Sequence, residues 1–384
     1  MVTPTERVRS VDRSSIRVMF DLAEATDRDL VRLEVGEPDF DTPEHVVSAA
    51  AEAARAGKTH YTANAGLPEV REAIGETMAD RFDVAVSADE VVVTNGGMEA
   101  LLLAVLSTVG PDEELLIPSP GWPNYWSQAK LADGVPVEVP MPADEGYPLD
   151  VERVRDALND NTAAVMLCSP SNPTGRMYDE SAIREVVAAA AEYDAYVIAD
   201  EVYLGLAYDR DPTGIAALTG YPDHVLTVNS CSKTYAMTGW RVGWLCGPEE
   251  IIDEVNKIHE STTSCASSVA QHAALAALTG PQDPVEEMYE AFRERRDYVV
   301  ERIDDIDGLS CPKPQGAFYA FLDIDMEGSS LDIAKELLTE YGVVLAPGDG
   351  FGDAGAGKLR LSFANSLDRL ELGFDRIERA LEAR

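Results

Sequence analysis

The chain has 384 residues, 45% of them hydrophobic and 26% charged, which is enough for a large core and favours two domains. A formal net charge of −38 disfavours a nucleic-acid partner, because an acidic surface repels phosphate. No hydrophobic run reaches the length of a membrane span, and the first ten residues lack the apolar segment of a signal peptide. We therefore expect a cytoplasmic protein without membrane contact.

The acidic residues are distributed along predicted helix faces and are not collected in a tail. Asp and Glu number 69, against 31 Lys and Arg. Such acidity suits molar salt, where screening removes the self-repulsion of the surface. We expect a halophilic protein from a haloarchaeal cytoplasm, and an acidic protein of ordinary salt is the alternative.

The five cysteines are scattered, at positions 168, 231, 246, 265 and 311, and none forms a CxxC pair. This favours reduced thiols over a disulfide framework and argues against a structural zinc site. No metal site is predicted.

The first part of the chain predicts an N-terminal arm, a short helix, a strand and a turn that contains Gly36. Gly36 fits either a plain turn or a close approach to a ligand. A helix is predicted from position 67, because apolar residues recur there at every fourth position. Tyr61 precedes this helix in a polar loop, where nothing in the sequence gives a reason for burial.

The next segment, EVVVTNGGMEALLL, predicts a strand, a glycine turn and a helix. The glycines of this turn, Gly96 and Gly97, leave backbone N–H groups bare at the helix N-terminus, which is a natural anion site. The turn is weak support by itself, because most such turns bind nothing.

Strands and helices alternate from this point onward. Strands are predicted at 114–118, 163–168, 195–199, 225–228 and 242–246, and helices at 122–131, 179–193 and 251–259. The alternation predicts an α/β fold with a mostly parallel sheet, and functional residues at the carboxyl ends of its strands.

Residues suited to a pyridinium aldehyde phosphate follow these strands. Asp200 can hold a pyridine nitrogen protonated, Asn172 and Tyr203 can bind a phenolate oxygen, and Trp122 can stack on a ring. Each residue also has a structural alternative as a helix cap, a turn residue or core packing. Their joint occurrence at strand ends favours the functional interpretation.

Residues 225–247 contain the strongest signal, a lysine in a short loop between two apolar strands. A partly desolvated lysine such as Lys233 becomes a nucleophile that forms Schiff bases with carbonyls, the chemistry of pyridoxal phosphate (PLP). Ser230 and Arg241 flank it and suit a phosphate group. A solvated surface lysine is the alternative.

The C-terminal part predicts a smaller α+β domain. We place the boundaries at 1–40 for the N-terminal arm and part of the small domain, 41–280 for the large domain and 281–384 for the rest of the small domain. Gly350, Gly352 and Gly355 match GxGxxG, but a strand follows, so we reject dinucleotide binding. Arg360 alternates with leucines on that strand and fits either a carboxylate clamp or a solvated edge position.

The segment SCSKTYAMTGWRVG and the run SPSNPTG resemble the class I/II PLP-dependent aminotransferases, which have the aspartate aminotransferase fold, fold type I. The resemblance runs through essentially the whole chain. It implies a large domain with a mostly parallel sheet between helices, a smaller α+β domain and PLP as the cofactor.

The resemblance also implies roles for single residues. Lys233 would carry the cofactor and move the proton, with Asp200 and Tyr203 as further catalytic residues. The remaining cofactor contacts would come from Gly97, Met98, Trp122, Asn172, Ser230, Arg241 and Tyr61. Substrate contacts would come from Gly36, Trp122, Asn172 and Arg360. Tyr61 would reach the phosphate of a neighbouring subunit, which implies a homodimer with shared active sites.

The implied reaction transfers the amino group of an L-amino acid to a 2-oxo acid such as 2-oxoglutarate, with ping-pong kinetics. Some aspartate-using relatives have a lysine where Met98 stands here, and no second arginine has an obvious role in the sequence, so aspartate, alanine, branched and aromatic donors stay open. A carbon–sulfur lyase or synthase of the same fold is the alternative enzyme. A non-catalytic PLP-fold binding protein is disfavoured, because the reactive residues are all present.

Overall fold

The computed structural model describes residues 3–384. A seven-stranded sheet is its largest element, with strands β2 (Val91–Thr94), β3 (Glu114–Ser119), β4 (Val135–Pro140), β5 (Thr162–Cys168), β6 (Tyr196–Asp200), β7 (Val225–Ser230) and β8 (Gly243–Cys246). Their order is β2-β8-β7-β6-β5-β3-β4, and β8 alone runs antiparallel to its neighbours. The central strands β5, β6, β7 and β8 are almost wholly buried, as expected when helices cover both faces.

The helices of this region are α3 (Glu44–Arg55), α4 (Pro68–Phe82), α5 (Gly97–Thr108), α6 (Asn124–Leu131), α7 (Val151–Ala157), α8 (Glu180–Ala191), α9 (Ile215–Leu218), α10 (Cys231–Thr234), α11 (Glu249–Thr262) and α12 (Ser268–Thr279). Helices α5, α6 and α11 pack on one face of the sheet. Helices α4, α8 and α12 pack on the other. Successive side chains of one strand point to opposite faces, so Val92 meets the first layer and Val91 and Val93 meet the second.

A second, antiparallel sheet is formed by β9 (Leu309–Ser310), β10 (Tyr319–Ile324), β12 (Ala346–Pro347) and β13 (Lys358–Ser362), in the order β12-β13-β10-β9. Its helices are α13 (Asp283–Asp305), α14 (Ser330–Glu336) and α15 (Leu367–Glu382), and a wider turn at Leu337–Tyr341 extends α14. The chain therefore has the α/β fold with a smaller α+β part that the sequence predicts.

The N-terminal segment contains α1 (Glu6–Arg9), α2 (Ser15–Glu24) and β1 (Val31–Arg32). β1 pairs in parallel with β11 (Val343–Val344), and Met19 and Leu33 belong to the same core as Phe292 and Phe374. The N-terminal segment thus packs with the C-terminal part of the chain. The domain boundaries at 40 and 280 stay predictions.

One detail of the predicted loop after β7 is wrong. Cys231–Thr234 forms a single helical turn, because the Ser230 hydroxyl accepts a hydrogen bond from the backbone N–H of Ser232 at 3.2 Å and caps it. Lys233 therefore projects from a helical turn and not from an extended loop. No helix among residues 3–384 is both long and apolar enough to cross a membrane.

Candidate active site

A pocket of about 450 Å³ lies where the carboxyl ends of the large-sheet strands meet the N-terminal segment and the small sheet. Polar side chains gather there because parallel strands end at a common edge of the sheet. The pocket is lined by eleven of the predicted site residues: Gly36, Gly97, Met98, Trp122, Asn172, Asp200, Tyr203, Ser230, Lys233, Arg241 and Arg360. Tyr61, the twelfth, is 90% exposed and lies outside it.

Lys233 is held in place by the backbone. Its Nζ donates a hydrogen bond of 2.6 Å to the carbonyl oxygen of Gly36. Burial lowers the pKa of Lys233 to about 8, and Arg360 and Arg241 act in the same direction, while Glu37 opposes them. An amine with this pKa is largely neutral in weakly alkaline solution and is then a competent nucleophile and base.

Gly36 is required by close packing. A Cβ at this position would lie 2.3 Å from the hydroxyl oxygen of Tyr319, which is buried. The glycine therefore lets the backbone approach both Tyr319 and Lys233. This explains Gly36 as a packing residue whose carbonyl also orients the lysine.

Asp200 ends strand β6 and is 2% exposed. Its Oδ2 accepts a hydrogen bond of 2.6 Å from the hydroxyl of Tyr125, and its Oδ1 accepts one of 3.3 Å from the N–H of Val202. Burial raises the pKa of Asp200 to about 6, although the bond from Tyr125 acts to lower it. These two hydrogen bonds orient the carboxylate, and its raised pKa favours sharing a proton with a basic partner.

Arg360 is 3% exposed and projects from β13. Its Nη1 donates to Oδ1 of Asn172 at 3.0 Å, and its Nη2 donates to the carbonyl oxygen of Glu34 at 2.6 Å. Its Nε has no hydrogen-bond partner within residues 3–384. A buried guanidinium with an unpaired donor is suited to an anionic ligand.

The start of α5 and the loop after α10 meet at the other side of Lys233. Arg241 has a left-handed backbone (φ 56°), and its Nη1 and Nη2 donate to the carbonyl oxygens of Thr238 and Asn95 at 2.7 and 3.3 Å. A Cβ on Gly96 would lie 2.4 Å from Arg241 Nη2. The glycine thus admits the guanidinium beside the helix N-terminus, and the pair makes a concentrated anion site.

Aromatic side chains complete the wall. Trp122 packs edge-on against Tyr125 with ring centroids 5.7 Å apart. The hydroxyls of Tyr203 and Tyr319 are 2.8 Å apart, and burial raises the pKa of Tyr203 well above its ordinary value. Tyr203 is therefore a neutral hydrogen-bonding group.

Polar pocket residues that the sequence did not predict include Arg17, Glu34, Tyr125 and Tyr319. Tyr125 lies on a helix behind Asp200, and Tyr319 lies on a strand of the small sheet, so both depend on contacts distant in sequence. The alternation of polar and apolar residues in VRLEV, at 31–35, is the signal that could have placed Glu34 on the side of the strand opposite Val31 and Leu33. Among residues 3–384 there is no group of three or more His, Cys, Asp or Glu side chains arranged for a metal.

Comparison with known proteins gives a consistent picture. Residues 28–377 match the family model "Aminotransferase class I and II". The aspartate/prephenate aminotransferase of Thermus thermophilus is 39% identical, over 92% of this chain and 91% of that protein. The solved structure of a Thermus thermophilus aspartate aminotransferase with maleate is 37% identical, with a TM-score of 0.95 over 99% of this chain and 100% of that one.

A third relative differs in the substrate of its name. The alanine aminotransferase of Pyrococcus furiosus has a solved structure that is 34% identical, with a TM-score of 0.94 over all of both chains. The fold, the match over nearly the whole length and the composition of the pocket agree. The chain belongs to the class I and II aminotransferases, a family that depends on PLP.

Proposed function

We propose that this chain transfers the amino group of an L-amino acid to a 2-oxo acid, with PLP bound in the pocket around Lys233. The observation that carries the proposal is the convergence of Lys233, Asp200 and Arg360 on one pocket of about 450 Å³. A pocket of this size suits a cofactor and a small substrate together. When bound, PLP supplies an aldehyde that takes up the amino group and a ring that spreads negative charge.

The residues present fit that cofactor. The phosphate would be held by Arg241, Ser230 and the N–H groups of Gly97 and Met98, where the closeness of Gly96 to Arg241 provides the anion site. Asp200 would hold a proton on the ring nitrogen. Two observations support this role of Asp200: its carboxylate is buried and has a raised pKa, and a hydrogen bond from Tyr125 orients it.

Asn172 and Tyr203 would bind the ring oxygen, and Trp122 would cover one face of the ring. Asn172 and Tyr203 are buried, line the same pocket and present polar side-chain atoms. Tyr203 stays neutral, because burial raises its pKa, so it donates a hydrogen bond and keeps its proton.

Lys233 would take the proton from the substrate Cα and return it to the cofactor side. Its amine is held 2.6 Å from the carbonyl of Gly36, and burial lowers its pKa to about 8, so it is neutral often enough to act as a base near physiological pH. The substrate α-carboxylate would bind Arg360, whose free Nε and buried guanidinium favour a bidentate contact.

The proposal extends to the donor, the assembly and the environment. Aspartate and alanine are the donors suggested by the names of the relatives. A homodimer is supported by Tyr61, an exposed aromatic residue outside this chain's own pocket that would reach the phosphate site of a second subunit. A mass of twice 41.5 kDa by light scattering would test it. A halophilic, haloarchaeal origin is supported by the charge of −38. A cytoplasmic location is supported by the five free cysteines.

Product analysis tests the function. With an amino acid and 2-oxoglutarate, we expect glutamate and the new 2-oxo acid in equal amounts, and parallel lines in double-reciprocal plots from a ping-pong mechanism. Release of ammonia without glutamate would instead assign a lyase of the same fold.

A further inference from the structure

Four cationic side chains line the pocket within residues 3–384: Arg17, Lys233, Arg241 and Arg360. The proposed function assigns roles to three of them: Lys233 at the cofactor, Arg241 at its phosphate and Arg360 at the substrate α-carboxylate. It assigns no role to Arg17. It comes from helix α2, which also contributes Ile16 and Phe20 to the pocket wall.

The contacts of Arg17 engage only part of its guanidinium group. Its Nε lies 3.1 Å from Oδ1 of Asp21, and its guanidinium carbon lies 4.7 Å from the centroid of the Phe20 ring. Within the described chain, no hydrogen bond or ion pair engages its two Nη groups. Its side chain is 61% exposed, so it can turn from Asp21 toward a ligand.

The charges around Arg17 favour a carboxylate as its ligand. Of the acidic residues in the outer wall, Glu34 is paired with Arg32 at 2.5 Å, whereas Glu37 is exposed. Ile16, Phe20 and Leu101 supply apolar surface there, and Ser14, Asn124 and Thr238 add uncharged polar groups. A second substrate carboxylate among these side chains needs a cation, since burying it unpaired is costly.

We propose that Arg17 binds the side-chain carboxylate of dicarboxylic substrates, and that this enzyme therefore uses four- or five-carbon dicarboxylic amino and 2-oxo acids. The inference rests on the proposed function and names the substrate class of the same site. With a neutral substrate, Arg17 stays on Asp21, and the side chain packs against Ile16 and Phe20.

Arg13 supplies a matched control. Its Nη2 lies 3.2 Å from Oδ2 of the same Asp21, it is 79% exposed, and it does not line the pocket. Arg17→Met and Arg13→Met therefore remove one charge each from the same ion-pair cluster, but only the first removes a cation from the pocket.

The test measures succinate and butyrate binding to the PLP-loaded enzyme by calorimetry, together with kcat/KM for glutamate and for alanine. Loss of a charged hydrogen bond predicts that Arg17→Met weakens succinate binding and lowers kcat/KM for glutamate by about 10- to 100-fold. Butyrate binding and kcat/KM for alanine should change by less than about threefold. Arg13→Met should leave all four values unchanged within that margin.

Equal losses for both ligand classes, or no loss for succinate, would overturn the role of Arg17. A wild-type enzyme that transfers amino groups from neutral but not dicarboxylic donors would do the same. If the wild type transfers no amino group at all, the proposed function fails, and this inference fails with it.

Discussion

The proposed reactive residue of this pocket, Lys233, depends on its surroundings for its reactivity. Lys233 could be recognised in the sequence because hydroxyl residues and Arg241 flank it after an apolar strand. What the sequence could not supply is the carbonyl of Gly36, 197 positions away, which holds Nζ at 2.6 Å. Nor could it supply the burial that lowers the pKa of the amine to about 8. The local sequence pattern identifies the lysine, whereas the fold sets the position and the pKa of its amine.

A pH prediction follows for the protein freed of its cofactor. The neutral amine attacks an aldehyde and the ammonium does not. With a pKa of about 8, the neutral fraction of Lys233 rises about tenfold per pH unit below pH 8 and levels off above it. Stopped-flow absorbance after mixing with PLP should give a rate with this profile. A rate that keeps rising to pH 10 would mean that the lysine is not perturbed.

Helix α5 shows what an element adds to its residues. The sequence predicted a strand, a glycine turn and a helix here, and the structure confirms them. The sequence did not predict that Glu99, in the first turn of the helix, would stabilise that turn through hydrogen bonds of its side chain. Oε2 of Glu99 accepts hydrogen bonds from the backbone and side-chain nitrogens of Asn95, at 2.6 and 2.9 Å. Thr263, from the end of α11, donates to its other oxygen.

Glu99 predicts an acid-sensitive contribution to stability. Burial acts to raise its pKa, but the contact with His259 and the hydrogen bonds from Asn95 and Thr263 prevail and lower it to about 2. Because the pKa of Glu99 is lower in the folded protein, its ionised carboxylate stabilises the folded state at any pH above its unfolded pKa, near 4.5. This stabilisation is lost as the pH falls toward 2. Glu99→Gln should therefore lower the free energy of unfolding by about 1–3 kcal/mol at pH 7.

Urea unfolding of the wild type and Glu99→Gln from pH 7 to pH 3 measures this effect. The difference between them should shrink below about pH 4.5. Glu260→Gln, on the exposed face of α11, is the control and should match the wild type throughout. A difference that is constant over this range would assign the effect to packing and not to ionisation.

At the scale of the molecule, composition and fold carry different information. The alternation of strands and helices was sufficient to predict the α/β architecture, since each parallel strand needs a crossover helix. The contact of the N-terminal segment with the C-terminal part needed the structure: β1 has two residues and pairs with β11, more than 300 positions later. Helix α2 packs against β12 and α14 of the C-terminal part, and this long-range contact brings Arg17 to the pocket in a way that no local pattern shows.

The charge of −38 makes a prediction about salt. On α13, Glu286, Glu290 and Glu294 are exposed and spaced four residues apart, where like charges destabilise a helix by about 0.2–0.5 kcal/mol per pair. The screening length falls from about 10 Å at 0.1 M salt to about 3 Å at 1 M. The melting temperature should therefore rise steadily as potassium chloride is added to molar concentration.

The variant Glu294→Gln removes a like-charge contact with Glu290 and leaves the Glu290–Arg293 ion pair in place. It should melt slightly higher than the wild type in dilute buffer and approach it in molar salt. Equal stability of the wild type in both conditions would refute the halophilic assignment.

The central claim is that Lys233 makes this pocket a reversible amino-group carrier. The most direct measurement is an absorbance titration of the PLP-loaded protein in high salt. Amino acids are added one at a time, and 2-oxoglutarate follows. The wild type and Lys257→Ala, which lacks an exposed helix lysine, should convert the cofactor to its pyridoxamine form and back. Lys233→Ala should fold but show no conversion. Normal conversion by Lys233→Ala, or irreversible release of pyruvate and ammonia by the wild type, would contradict the account.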